Sequence, residues 1–373
     1  MPLRLGFACH WDESHEATWS GTPWRLREAL AARPDQLEVV DVGVQLPLPV
    51  RKSLRLASVR RHDGQWRSLW RQSAPAQALV ERSLRAGARD TRPDVCLQLQ
   101  DLGTLPVPSM VMQDLSYALL LEHLGPQGVP HFRTLGRRRL DALQARQERV
   151  YASAARLLPM SAWLASSLVA SGVDADRVRV VPPGTSLPPA PAPAPRTTRP
   201  RTRLLFVGRD FDTKAGAQVV AAFELLRRQA LPGLTLTVAG PPTWPLRREP
   251  PEGATFLGAV PRTRVLELFD AHDLFVMPSH FEGFGIAFVE ALSRGLPCIG
   301  RRACAMPEII REGVGGYLVD DDAPAALGAV IARALEDESL YEQCLVTSDY
   351  VRDYYSWHRA AGQVADIAAE VVR

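Results

Sequence analysis

The sequence predicts two doubly wound α/β domains joined by a stiff spacer. Three observations carry that reading. Short apolar runs alternate with helical patterns along the whole chain, the signature of strand–helix–strand units and parallel sheets. At 373 residues the chain is long for one hydrophobic core and comfortable for two. Between the halves, residues 182–200 hold so many prolines that they cannot lie inside a core. They read as a semi-rigid polyproline linker. The expected domains are 1–187 and 202–355, with the linker at 188–201 and a last helix over 356–373.

The first half opens on an apolar strand, Leu3 to Cys9, and a loop over 10–22. Thr22 as N-cap and Pro23 at the first helical position start a helix carrying Leu26 and Leu30. Leu37 to Val42 is the next strand. The loop with Gly21 therefore falls at a strand's carboxyl edge, ahead of a helix N-terminus. Arg51 to Arg71 mixes arginines with Trp66, Leu69 and Trp70. It reads as a solvated helical pair covering the sheet edge, with a membrane-surface or anionic-acceptor patch as the alternative. Val95 to Gln100 and Met110 to Gln113 are further strands, and Asp114 follows the second. Asp114 either caps the next helix or takes part in proton transfer.

The second half restarts with strand Leu204 to Val207 and the loop Gly-Arg-Asp-Phe-Asp-Thr-Lys-Ala-Gly (208–216). Arg209 and Lys214, with glycine at both ends of the loop, make a site for a diphosphate. Asp210 and Asp212 are not read as metal ligands, because they share the loop with those two cations. Strands over 234–239 and 254–258 and a helix over 261–270 lead to residues 273–308. There an apolar strand from Leu274 is followed by His-Phe-Glu-Gly-Phe-Gly-Ile-Ala-Phe-Val-Glu-Ala-Leu, and a second strand runs from Pro297 to Gly300. Gly283 and Gly285, flanking Phe284, allow backbone N–H groups to approach a bound phosphate, and the next helix points its positive end the same way. Glu282 in the loop and Glu290 in the helix are placed to accept paired hydrogen bonds from vicinal hydroxyls. Either carboxylate alone is explained by solvation or by a helix N-terminus. The whole string fits one elongated ligand with a sugar, a diphosphate and a ribose.

Glu-Gly-Phe-Gly-Ile-Ala-Phe-Val-Glu-Ala-Leu (282–292) resembles the paired-glutamate segment of the retaining family 4 glycosyltransferases of GT-B fold. The likeness extends over most of the chain and is strongest from 203 to 336. It implies two Rossmann-like domains facing one another across a cleft, and a last helix that crosses back to the first domain. It further implies transfer of a hexose-type sugar from a nucleoside-diphosphate sugar to an acceptor hydroxyl, with retention at the anomeric carbon. By resemblance Glu282 lies against the donor sugar and Glu290 binds the donor ribose. Arg209 and Lys214 hold the diphosphate with Gly283, Phe284 and Gly285. Gly21 stands where many members carry a glycine pair that touches donor or acceptor. Asp114 takes the position of a His or Asp near the reacting centre. The implied catalytic set is Glu282, Asp114, Arg209 and Lys214, with no metal and no cofactor besides the donor. An epimerase of the same fold, or a non-catalytic nucleotide-sugar-binding subunit, are the competing readings.

Composition narrows the partners. The chain is 46% hydrophobic and 23% charged, with a net charge of +3. Residues 1–196 hold 25 Arg and Lys against 18 Asp and Glu, whereas the remainder holds 19 against 23. That surplus suits an anionic or lipid-linked acceptor and at most peripheral membrane contact. No nucleic-acid module motif appears. The chain opens directly on a strand pattern, so no leader peptide is expected, and no apolar run approaches a membrane span. Five scattered cysteines suggest core thiols in a reducing cytoplasm, without zinc or disulfides. Only Lys52 and Lys214 are lysines; the other 42 basic residues are arginine. A lysine that persists against this bias invites a functional explanation.

Overall fold

The computed structural model describes residues 1–12, 14–16, 18–62, 65–123, 135–185 and 200–373. Most of the predicted linker, 188–201, lies outside the described residues. Two compact units emerge: among the described residues unit 1 takes 1–123, 135–185 and 355–373, and unit 2 takes 200–354.

Unit 1 follows the strand–helix alternation of its sequence. In chain order it contains β1 (Leu3–Ala8), α1 (Thr22–Ala31), β2 (Leu37–Val42), α2 (Leu48–Ala57), β3 (Val59–His62), β4 (Gln65–Ser68), α3 (Ala74–Thr91), β5 (Val95–Leu99), β6 (Ser109–Gln113), α4 (Tyr117–Glu122), α5 (Arg137–Ser153), β7 (Arg156–Pro159) and α6 (Ala162–Ala170). Five strands form a parallel sheet in the order β2-β1-β5-β6-β7. β5 and β6 are buried along their full length, which is why they read as continuous apolar runs rather than alternating ones.

Two expectations are corrected here. Gly21, not Thr22, is the N-cap of α1; it has φ +85, a left-handed conformation that glycine adopts without strain, and Thr22 is a buried first helical residue. Arg51 to Arg71 is not a helical pair. After α2 the chain turns into an antiparallel ribbon, Val59 opposite Ser68 and Arg61 opposite Trp66. The β-branched Val59 and the aromatic Trp66 favour strand geometry over the helix that the arginines and leucines suggested.

Unit 2 contains β8 (Arg203–Val207), α7 (Gly216–Gln229), β9 (Thr235–Ala239), β10 (Ala254–Gly258), α8 (Arg262–Ala271), β11 (Leu274–Val276), α9 (Ile286–Leu292), β12 (Cys298–Arg301), α10 (Met306–Ile309), β13 (Gly316–Val319), α11 (Pro324–Glu336) and α12 (Glu338–Tyr354). Its six parallel strands run β10-β9-β8-β11-β12-β13. Chain order reverses direction between β8 and β11, so the loops that leave these two strands flank the switch point where open α/β sheets bind ligands. Backbones approach closely at this edge. A Cβ on Gly240, which has φ +119, would lie 2.6 Å from the Gly208 carbonyl carbon.

α13 (Trp357–Val372) returns to unit 1 and packs on α1. Ser356 caps it, accepting from the Arg359 N–H at 3.2 Å. Arg33 donates to the His358 carbonyl at 2.9 Å, and the Thr185 N–H donates to the Tyr355 carbonyl at 2.8 Å.

Candidate active site

The site is built where the loops after β8 and β11 meet. In the first loop Asp210 accepts hydrogen bonds from the Thr213 N–H at 3.3 Å and hydroxyl at 3.0 Å, which winds the loop back on itself. The Lys214 N–H donates to the Asp210 carbonyl at 3.0 Å, and Ala215 then takes φ +58 to enter α7. Gly208 leaves room for this turn: a Cβ there would stand 2.9 Å from Lys214 Cγ. Gly216 does the same for the buried Phe211 ring, 2.3 Å from where a Cβ would be.

The second loop is stitched to the first. The His280 N–H donates to the Thr213 carbonyl at 2.9 Å. The Lys214 ammonium and the Glu282 carboxylate form an ion pair, their side chains 20% and 14% exposed. The Ser279 hydroxyl reaches the same carboxylate at 3.5 Å. Gly285 has φ +100 and is the N-cap of α9, with the space a Cβ would need filled by Phe288 at 2.9 Å and by Glu282 Cγ at 3.2 Å. Glycine there keeps Glu282 upright toward Lys214.

Glu290 is buried one helical stretch further on. Its carboxylate is ion-paired with Arg262 from the first turn of α8. Burial pushes the Glu290 carboxyl above its ordinary range, and the Arg262 and Arg294 charges only partly offset this. The ion pair with Arg262 was not foreseen from the sequence. Arg209 is exposed on the first loop. Gly283 is half-buried and the Phe284 ring is buried, so Phe284 offers its backbone rather than its side chain.

Further groups surround the pair. Asp322 accepts from His280 at 2.9 Å and from Arg301, while Arg301 also donates to the Pro278 carbonyl at 3.2 Å. Burial would raise the Asp322 carboxyl, but these two hydrogen bonds outweigh it and hold it below the usual carboxylate range. Cys304 has φ +54, and burial pushes its thiol up while Glu282 and Lys214 act on it from nearby. None of these residues forms a local motif, and no short-range signal in the sequence announces them.

Two assigned residues belong to unit 1. Gly21 is buried at the start of α1. Asp114 follows β6 and is half-buried. It does not cap α4; Ser116 does, accepting from the Leu119 N–H at 3.2 Å. Among the described residues no group of three or more His, Cys, Asp or Glu side chains is placed to hold a metal ion. Among them, too, no helix is long and apolar enough to cross a membrane.

Comparison with known sequences decides the family of this unit. The family described as glycosyl transferases group 1 matches residues 195–347, a span that contains Arg209, Lys214, Glu282 and Glu290. Unit 2 is a group 1 glycosyl transferase domain. Among curated proteins, D-inositol 3-phosphate glycosyltransferase of Xylanimonas cellulosilytica is 28% identical over 250 residues, 61% of this chain and 60% of that one. The chain spans about half to three-fifths of the length of the first curated relatives it matches. The group 1 domain and unit 1 together share the GT-B fold with solved structures. Sucrose-phosphate synthase from Thermosynechococcus elongatus aligns with a TM-score of 0.69 at 15% identity, covering 99% of both chains. WaaG, a glycosyltransferase involved in lipopolysaccharide biosynthesis, aligns with a TM-score of 0.68 at 18% identity, covering 98% of this chain and 99% of that one.

Proposed function

We propose that the chain transfers a hexose-type sugar from a nucleoside-diphosphate sugar to an acceptor hydroxyl, with retention at the anomeric carbon. The observation that carries this reading is the ion pair between Lys214 and Glu282 at the switch point of the group 1 domain. Each partner is tied to the other chiefly through side-chain atoms, so an incoming ligand can divide them. The diphosphate takes Lys214, and the sugar hydroxyls take Glu282. Arg209, exposed on the same loop, adds a second charge to the diphosphate. The carboxylate of Glu290 shares its lone pairs between Arg262 and the ribose hydroxyls.

Negative charge grows on the diphosphate as the anomeric C–O bond breaks, so Lys214 and Arg209 stabilise the transition state more than the ground state. The acceptor oxygen then bonds to the anomeric carbon from the face the phosphate leaves, and its proton passes to a phosphate oxygen. Glu282 orients the sugar and supports positive charge on its ring. The resemblance alone assigns Asp114 a part in proton transfer. No metal or cofactor enters the scheme. The curated relatives named D-inositol 3-phosphate glycosyltransferase support a hydroxyl-rich acceptor.

A thermal-shift screen with GDP, UDP, ADP and dTDP tests the donor. A ligand at roughly a hundred times its dissociation constant adds about 2.7 kcal/mol of stability. One of the four raises the melting temperature; if all four leave it unchanged, the donor assignment fails. For a sugar nucleotide that binds, the anomeric configuration of the product by proton NMR tests retention, and an inverted product would exclude it.

A further inference from the structure

The sequence from Gly43 to Val80 carries seven Arg and Lys residues and a single acid, Asp63. Structure turns this bias into a surface of unit 1. α2 packs inward through Val50 and Leu54, half-buried against a cluster that includes Val42, Leu46 and Trp70. Helical spacing puts Leu48, Lys52 and Leu56 in one row on the opposite side, with Arg55 beside them. That row faces water: Leu48 is 49% exposed, Leu56 is 80% exposed, and Lys52 and Arg55 are exposed as well. A helix with one face on a core and the other in solvent ordinarily keeps leucine off its outer row. α2 has no fully buried residue, and two leucines stand among the cations on its outward side.

The ribbon that follows adds the same chemistry. Arg60 and Arg61 are exposed, and Trp66 is 71% exposed. Trp66 stands opposite Arg61 in the ladder, so the two side chains share a face. Of the eight tryptophans in the chain, the other seven are buried or half-buried. Cations alone would suit any polyanion. Leucines interleaved with the cations of α2, and an exposed tryptophan across from Arg61 on the adjoining ribbon, match the headgroup layer of a bilayer, where apolar side chains enter the acyl boundary and cations meet anionic lipid. A nucleic-acid backbone would reward the charges and leave Leu48 and Leu56 in water.

We propose that α2 and the adjoining ribbon dock unit 1 on an anionic lipid surface. This does not depend on the transfer reaction proposed above. Flotation of the full chain with phosphatidylcholine vesicles, with and without a third of phosphatidylglycerol, tests it. The chain floats with the anionic vesicles, stays in solution with the neutral ones, and is released as salt is raised. Lys52→Gln and Arg55→Gln each weaken partition about fivefold. Leu56→Ser with Trp66→Ser abolishes the fraction that resists salt, while the melting temperature of the Lys52, Leu56 and Trp66 variants stays at the wild-type value because these side chains face solvent. Arg55, whose guanidinium lies 5.9 Å from the centre of the Trp70 ring, is held to its partition readout alone. Equal partition onto both vesicles, or unchanged partition in the variants, would overturn the proposal. So would binding to duplex DNA that is indifferent to Leu56 and Trp66 and is unaccompanied by vesicle binding.

Discussion

The two units present the same architectural feature with their cations anchored differently. In each sheet the order reverses beside the first strand, between β8 and β11 in unit 2 and between β1 and β5 in unit 1. At the unit 2 edge, Lys214 and Glu282 meet as one side chain against another. At the unit 1 edge Arg71 and Asp12 also pair side chain to side chain, but two further cations are anchored to backbone. Arg146 donates to the Asp101 carbonyl at 2.8 Å and the Leu102 carbonyl at 2.6 Å, as well as to the Asp101 carboxylate at 3.2 Å. Arg139 donates to the Gln72 carbonyl at 2.7 Å. The edge also holds a neutral histidine: burial, with Arg71 nearby, lowers His10 to about 4. A cavity of about 100 Å³ is lined there by His10, Arg71, Gln77, Gln100, Asp101 and Tyr117. The difference separates two uses of charge. A cation that caps carbonyls holds a loop in shape and is lost only with the loop. A cation whose partner is another side chain can be transferred to a ligand without unfolding anything.

The sharpest test of that contrast is Lys214→Ala. Removing a group aimed at developing charge costs on the order of a hundred- to a thousandfold in kcat, read as initial rates of sugar release from the donor. Nucleoside diphosphate affinity falls about ten- to a hundredfold by calorimetry, while the fold is retained. Lys214→Ala combined with Glu282→Ala costs less than the sum of the single effects, because the pair is coupled; strict additivity would place the two residues in unrelated roles. The unit 1 counterpart, Arg146→Ala, breaks contacts to backbone and so lowers thermal stability by several degrees.

His10 supplies the next largest effect. Its folded pKa lies below the unfolded value near 6.5, so neutral imidazole is favoured in the fold. The associated stability is complete above about 6.5 and is lost as pH falls toward about 4. Full protonation costs on the order of 3 kcal/mol, and His10→Gln flattens the acid limb of a urea-midpoint against pH curve. An unchanged limb in the variant would assign acid unfolding to other groups.

Glu290 runs the other way. Burial raises its carboxyl above 4.5, so the stability it contributes is present at low pH and declines as pH rises through the raised value. Glu290→Gln removes that decline, gaining on wild type as pH rises, yet binds nucleoside diphosphate about tenfold more weakly for lack of a charged acceptor. The smallest effect belongs to Ser116→Ala, which removes the cap of α4 and costs about 1 kcal/mol in denaturant unfolding.

Much of this could be read in advance because the signals are local. β9 and β10 stand where the apolar runs put them, Thr235–Ala239 and Ala254–Gly258. The two loops of the candidate site were legible from glycines bracketing charged residues after buried strands. What escaped is tertiary. Arg262 and Glu290 are separated by 28 positions, and the Arg301 bond to Asp322 spans 21, so neither pairing has a sequence period to reveal it. The ribbon after α2 was missed because arginine and leucine in Arg51 to Leu56 favour a helix, and the change to strand geometry at Val59 rests on few residues. The Gly21 cap was missed because Thr22 and Pro23 are themselves a sound helix start, and only φ distinguishes the two positions.

The return of α13 to unit 1 has a consequence for assembly. Arg33 finds its carbonyl partner 325 positions along the chain, so α1 stays uncovered until the last helix has been made. Unit 2 is contiguous through Tyr354 and can complete its sheet beforehand. During synthesis unit 2 therefore matures while the earlier-translated half still shows an open flank, and the slow step of folding is expected to be the arrival of that helix.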